Sequence, residues 1–227
     1  MPNKKNPMDV NRLILGDNLE VLKSIESNSV DLIYLDPPFF SNRTYEVIWG
    51  DDGEKRSFED RFAGGIDHYI NWLRNRVRQM HRILKPTGSI FLHCDWHASA
   101  EIKIDVLNHI FGRNNFRNEI VWCYKKWSIS NNMFCRNHDT IFFYSKSENN
   151  TFNQLFQPRA ASTLKRFGNQ TIVSGFDEFG NRLPSTTTEE VSKGVKMYDW
   201  WDIPIVPPSG HERIGSRPRN PKRFYKE

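Results

Sequence analysis

The apolar positions of the chain fall into short runs, and their spacing alternates between strand-like and helix-like. Residues 12–17, RLILGD, read as a short strand that stops at Gly16-Asp17. Leu19, Leu22 and Ile25 then recur at helical spacing, with Asn18 placed to cap that helix. Residues 30–35, VDLIYL, are a second apolar run, of the kind found in parallel sheets covered on both faces. Residues 41–65 are polar and contain glycine, which predicts a loop. Over residues 67–86 Ile70, Leu73, Val77, Met80 and Leu84 share one helical face, and Pro86 and Gly88 end the helix. A third strand is expected at 89–95 and a helix at 97–112 with Gly112 as its stop. NEIVWCYKK and HDTIFFYSK, beginning at Asn118 and His138, read as two further strands paired with each other. Strands alternating with helices mean an α/β sheet. From about residue 146 to 196 the chain is rich in Ser, Thr, Asn, Lys and Gly with little periodicity. That predicts a long loop or a small irregular subdomain.

Composition narrows this picture. A length of 227 residues suits one large domain or a domain with an insert, and 37% apolar residues allow a core. No apolar run approaches the roughly 18 to 20 residues of a membrane span. The first residues lack a secretory apolar stretch, so a cytoplasmic protein without membrane contact is expected. Cys94, Cys123 and Cys135 are odd in number and lack zinc-type spacing, which reads as reduced thiols and no metal. The net charge of +5 is concentrated in residues 211–227, which carry +4 of it. The body of the chain is therefore close to neutral.

Asp17, Asp36 and Asp95 each follow a predicted strand. In open α/β sheets ligands bind beyond the carboxyl ends of strands. Any one such acid reads equally as a helix cap or turn former, but three favour a shared site. Asp36-Pro37-Pro38-Phe39 says more. Proline cannot continue a central strand, and two in a row fix the directions of the neighbouring carbonyls. A carboxylate beside a rigid carbonyl is an acceptor pair suited to an NH₂ group, and an adjacent flat aromatic suits stacking on a planar ring. The stretch describes a pocket for an amino-bearing heterocycle; the plainer reading is a proline turn. His93, Asp95 and His97 read either as strand-end polar residues with a cap or as lining of that pocket. Cys94 alternates to the opposite face, against a metal site. In CYKKW, Lys125 and Lys126 lie between aromatics, which suits contact with a nucleic-acid backbone or an ordinary sheet edge.

LILGDNLEVLKSI followed by SVDLIYLDPPF resembles the amino-methylating DNA methyltransferases of restriction–modification systems. The resemblance continues through MHRILKPTGSIFLHCD, NEIVWCYKK, HDTIFFYSK and WWDIPIVPPSGHERIG. In that family D-P-P-Y/F is the catalytic motif, and the Asp form points to adenine in place of cytosine. The resemblance implies a partial Rossmann-like, S-adenosylmethionine-dependent sheet with helices on both faces, plus an irregular target-recognition insert. It implies double-stranded DNA as substrate and a cognate restriction endonuclease as partner. Asp36, Pro37, Pro38 and Phe39 are then catalytic: Phe39 stacks on a flipped adenine, and Asp36 with the Pro37 carbonyl accepts from its amine. Asp17 and Asn18 are expected at the cofactor's adenosine. Lys125, Lys126, Lys165 and Arg166 are expected to bind DNA, with Lys146, Arg159, Arg182, Lys193 and Lys196 as further phosphate contacts. The insert reads alternatively as a solvated loop. The expected division is a catalytic core over 11–145, target recognition over 146–200, a return to the core over 201–215 and a tail over 216–227. A non-catalytic DNA-binding remnant, or a methyltransferase of cytosine or RNA, remains the alternative.

One family motif, the glycine-rich F-x-G-x-G loop that approaches the cofactor, is missing from the sequence. In the family, ERIG leads into a string like Y-P-T-Q-K-P-E-A-L-L-Q-R-V-I. That string can be written in codons which, after loss of one nucleotide from the first, read S-R-P-R-N-P-K-R-F-Y-K-E and stop. Those are residues 216–227. An out-of-frame tail is therefore expected, with the 227-residue chain alone binding S-adenosylmethionine weakly and not methylating DNA. Sequencing the gene past its last codon checks this: the other frame after codon 215 is expected to encode a P-T-Q-K-P-like string. A frame without one removes the expectation.

Overall fold

In a computed structural model, residues 11–41, 44–49, 54–59, 64–125 and 131–205 are described. Chain contacts divide it into two units, residues 1–151 with 200–227, and residues 152–199.

The first unit is built on a five-stranded mixed sheet. Its strands are β1 (Val30–Leu35), β4 (Leu84–Cys94), β5 (Phe116–Cys123), β6 (His138–Ser145) and β11 (Trp200–Asp202), in the order β1-β4-β6-β5-β11. β1 runs parallel to β4 and β11 parallel to β5, while β6 is antiparallel to both of its neighbours. The amino end of β6 therefore lies beside the carboxyl ends of β4 and β5, with Cys94 opposite Thr140 and Cys123 opposite His138. β2 (Thr44–Trp49) and β3 (Glu54–Glu59) form a separate antiparallel pair where the sequence predicts a loop. Thr, Tyr, Val, Ile and Trp in TYEVIW are the strand formers that carry it.

Helix α1 (Asn18–Ser24) is capped by Asp17, not Asn18. Asp17 Oδ1 accepts from the backbone N–H groups of Leu19 at 2.9 Å and Glu20 at 3.3 Å. Helix α2 (Gly65–Ile83) buries Tyr69, Ile70, Leu73, Val77, Met80 and Ile83. It ends before Leu84, which is already extended and belongs to β4. Pro86 explains the early stop, because its ring excludes helix at the preceding residue and clashes with the carbonyl four residues back. The register between β1 and β4 jumps from Val30–Leu84 to Leu32–Ser89, so β4 bulges at Lys85–Gly88. Gly88 fits there because an added Cβ would stand 3.0 Å from the carbonyl oxygens of both Asp31 and Lys85. The predicted helix at 97–112 is a continuous helical run: α3 (Ser99–Glu101), a π-helical stretch Ile102–Leu107, and α4 (Asn108–Phe111). Gly112, at φ 81°, ends it.

Ile90, Leu92 and Cys94 of β4 and Phe142 and Tyr144 of β6 share one sheet face. They pack with α2 and the α3–α4 run into the main core. Phe91, Ile120, Ile141, Phe143, Trp122 and Trp201 form a smaller cluster from the opposite set of alternating positions. Two sequence expectations fail at the β1 edge. Residues 11–15 form no strand, and Leu13 and Leu15 are almost fully exposed. Leu32 and Tyr34 of β1 are also more than half exposed, so that strand is not covered on both faces. A strand exists only where a neighbour takes its hydrogen bonds, and among the described residues none pairs with 11–15.

The second unit holds β7 (Phe156–Gln157) paired with β10 (Val195–Lys196), helix α5 (Ala161–Phe167), and β8 (Gln170–Val173) paired with β9 (Thr186–Val191). None of its residues is buried. No described helix is long and apolar enough to cross a membrane.

Candidate active site

β1 delivers Asp36 at its carboxyl end, and the prolines turn the chain away from the sheet. Pro37 is buried. The Tyr69 hydroxyl of α2 donates to the Pro38 carbonyl at 2.7 Å, so that carbonyl belongs to the scaffold. Phe40 has a left-handed φ of 59°, a strained conformation for a bulky side chain, and its ring stacks on Tyr69 at 5.4 Å. The turn after Asp36 is thus clamped onto α2.

Asp36 itself stays accessible, with 60% of its side chain exposed, yet it has a partner from the neighbouring strand. His93 of β4 is 8% exposed. Its Nδ1 lies 3.3 Å from Asp36 Oδ1 and its Nε2 lies 3.4 Å from Asp139 Oδ2. Tyr124 holds the other oxygen of Asp139, donating at 3.0 Å. Phe39 meets the His93 ring edge-on at 4.9 Å, and the Trp122 ring lies tilted 5.6 Å from it. Burial alone would lower the His93 pKa from its ordinary 6.5. The hydrogen bonds and negative charges of Asp139 and Asp36 outweigh burial and raise it to about 9. Burial pushes Tyr34 and Tyr124 up, Tyr124 to about 12; Asp36 and Asp139 add to it at Tyr34, and Asp139 and Asp95 add to it at Tyr124. Burial, with the charge of Asp95 next in weight, pushes the Cys94 thiol up as well, which leaves it an inert core residue.

The other two acids of the expected set have partners of their own. Asp17 Oδ2 pairs with Arg76 at 2.8 Å, and Arg76 also donates to Asn18 Oδ1 at 2.7 Å while lying over the Trp72 ring. Burial works against the Asp17 anion, but its two backbone hydrogen bonds and Arg76 prevail and lower its pKa. Asp95 accepts from the His97 N–H at 2.9 Å and pairs with its Nδ1 at 2.7 Å, a turn-forming arrangement. Among the described residues, no hydrogen bond or ion pair joins Asp17 or Asp95 to Asp36, and no group of three or more His, Cys, Asp or Glu is placed to hold a metal ion.

The expected DNA contacts divide. Lys125 is exposed just past β5, and Lys126 lies outside the described residues. Lys165 and Arg166 are exposed in the last turn of α5, Arg166 over the Phe167 ring at 4.9 Å. Lys146 is committed elsewhere: its ammonium donates to Asn28 Oδ1 and to the carbonyls of Arg82 and Leu84, closing the end of α2. Arg159 donates to the carbonyls of Gly168 and Gln170. The sequence reading missed Asp139, Tyr124 and Trp122. It sought acids after strands, whereas Asp139 comes near the start of a strand that runs the other way. An acid opening HDTIFFY, paired to a strand ending in HCD, is the signal that marks it.

A family model described as DNA methylase matches residues 30–224. The chain is 29% identical over 153 residues to the type II methyltransferase M.BglII of Bacillus subtilis, covering 65% of this chain and 38% of that protein. It is 24% identical over 237 aligned positions to the Mod subunit of the type III restriction-modification enzyme StyLTI of Salmonella typhimurium, covering 94% of this chain and 35% of that one. Among solved structures it is similar to the PvuII DNA methyltransferase (cytosine-N4-specific), with 16% identity, 59% of this chain and 48% of that chain covered, and a TM-score of 0.40. The chain thus spans little more than a third of the length of these curated relatives.

The His93 environment fixes a pH dependence of stability. Between pH 6.5 and about 9 the folded protein holds a proton that the unfolded chain has released, so the stability His93 contributes is fully present below pH 6.5 and is lost as pH rises from there through about 9. Urea denaturation across that range is expected to show the fall in the wild-type chain and its loss in His93→Gln.

Proposed function

The chain belongs to the DNA methylase family, whose model it matches over residues 30–224, and from that premise we propose that it carries the base-binding part of a site-specific DNA adenine methyltransferase. The observation that supports this most is the Asp36 carboxylate. It is exposed, yet oriented by His93, at a rigid turn that also carries a half-buried aromatic. Asp36 and the Pro37 carbonyl accept hydrogen bonds from the exocyclic amine and aim its lone pair. Phe39 packs against the flipped ring. Catalysis here is positioning and electrostatics, with no covalent enzyme intermediate.

S-adenosylmethionine, when bound, supplies an electrophilic methyl group. Asp17 and Asn18 are the residues assigned to hold its adenosine end. The Asp17 side chain is 54% exposed, and its Oδ2 carries one donor, so acceptor capacity remains for a hydroxyl. Residues 152–199, with Lys165 and Arg166, are assigned to target recognition, and Lys125 to the DNA backbone. Double-stranded DNA is the proposed substrate and the cytoplasm the proposed compartment, and the kinship with a Mod subunit supports a restriction endonuclease as partner.

Expressing the gene with the DNA that follows it, in a host free of DNA methylation, tests the reading by mapping modified bases. N6-methyladenine at one sequence is expected. Asp36→Asn keeps the shape of the side chain but removes its charge, and is expected to lower the rate at least about a hundredfold. Methylated cytosine would transfer the site to that base. No modified base, with steeply salt-dependent DNA binding, would leave a binding remnant.

A further inference from the structure

We propose that His93 is the positioning residue of this site: clasped by Asp139 on one ring nitrogen, it uses the other to fix the Asp36 carboxylate. The inference rests on the reading of Asp36 as the acceptor for the adenine amine. A carboxylate with two equivalent oxygens on a rotatable bond does not select an orientation by itself. His93 Nδ1, 3.3 Å from Asp36 Oδ1, takes one oxygen and leaves Oδ2 for the amine. The imidazole is held in turn by Asp139, 3.4 Å from Nε2, and Asp139 by the Tyr124 hydroxyl at 3.0 Å. Three elements thus converge on one ring: the end of β1, the end of β4 and the start of β6, with Tyr124 just past β5.

Carboxylates on both ring nitrogens require a proton on each, because a neutral imidazole offers one donor and one acceptor. His93 is therefore the imidazolium, with one N–H for each carboxylate. In that state Asp36 orients the amine by accepting from it, without first removing its proton. The titratable groups facing His93 among the described residues are Asp36 and Tyr34 from β1 and its end, and Asp139 from β6 with Tyr124 behind it. Phe39 and Trp122 add uncharged ring contacts to His93 at 4.9 Å and 5.6 Å.

The experiment is ¹⁵N-histidine NMR of the full chain, titrated in the wild type and in Asp36→Asn. Both nitrogens of His93 are expected to be protonated at pH 7.5. Asp36→Asn, which alters an exposed side chain and leaves the core intact, is expected to shift the His93 titration to lower pH. A neutral tautomer at pH 7.5, or a titration unmoved by Asp36→Asn, overturns the proposal. Asp139→Asn provides the second arm and is expected to lower the midpoint as well. Where the expressed gene methylates DNA, His93→Gln is expected to reduce kcat at least tenfold with KM for DNA unchanged; a raised KM with intact kcat would contradict positioning. The NMR result stands apart from methylation, so loss of the adenine reading leaves the clasp separately decided.

Discussion

Everything in the first unit hangs on the register of β4. It gives hydrogen bonds to β1 on one side and β6 on the other, and its side chains alternate between core and site. Ile90, Leu92 and Cys94 go into the core under α2 and the α3–α4 run, which obliges Phe91 and His93 to face the other way. A slip of one residue would exchange the two sets, placing an imidazole in the apolar core and a leucine against Asp36. The packing that stabilises the sheet is thus the same constraint that places His93 between two carboxylates.

The site gains rigidity from outside the sheet as well. Two prolines, the Tyr69 hydroxyl on the Pro38 carbonyl and the Phe40–Tyr69 stack tie the turn after β1 to the buried face of α2. Arg76, about two helical turns on from Tyr69, ties α2 to the cap of α1 through Asp17 and Asn18. A single helix therefore links the turn proposed to bind the base to the residues proposed for the cofactor. Such a scaffold suits chemistry that depends on orientation more than on a reactive side chain.

Much of this was legible in the sequence where the signal is local. The spacing of Ile70, Leu73, Val77 and Met80 marks α2, and the run VDLIYL followed by two prolines marks both β1 and the acid at its end. Signals that depend on distant partners were not legible. Whether Asp17 or Asn18 caps α1 is decided with Arg76, far along the chain, and both residue types are good caps. LIL at 13–15 has strand character, but a strand needs a neighbour, and no local pattern says whether one is present. Asp139 was hidden because the direction of β6 is a property of the sheet and not of HDTIFFYS. Once β6 is known to run antiparallel, an acid near its start falls at the same end as Asp36.

The turn at Asp36 is proposed to recognise an exocyclic amine on a purine ring. The most direct measurement is a comparison of adenosine with purine riboside, which differs only in lacking that amine, titrated into the isotope-labelled chain and followed at the Phe39 and His93 ring signals. Adenosine is expected to shift both sets of signals in a saturable way, and purine riboside to shift them far less. Equal responses to the two nucleosides, or none at either ring, would contradict it.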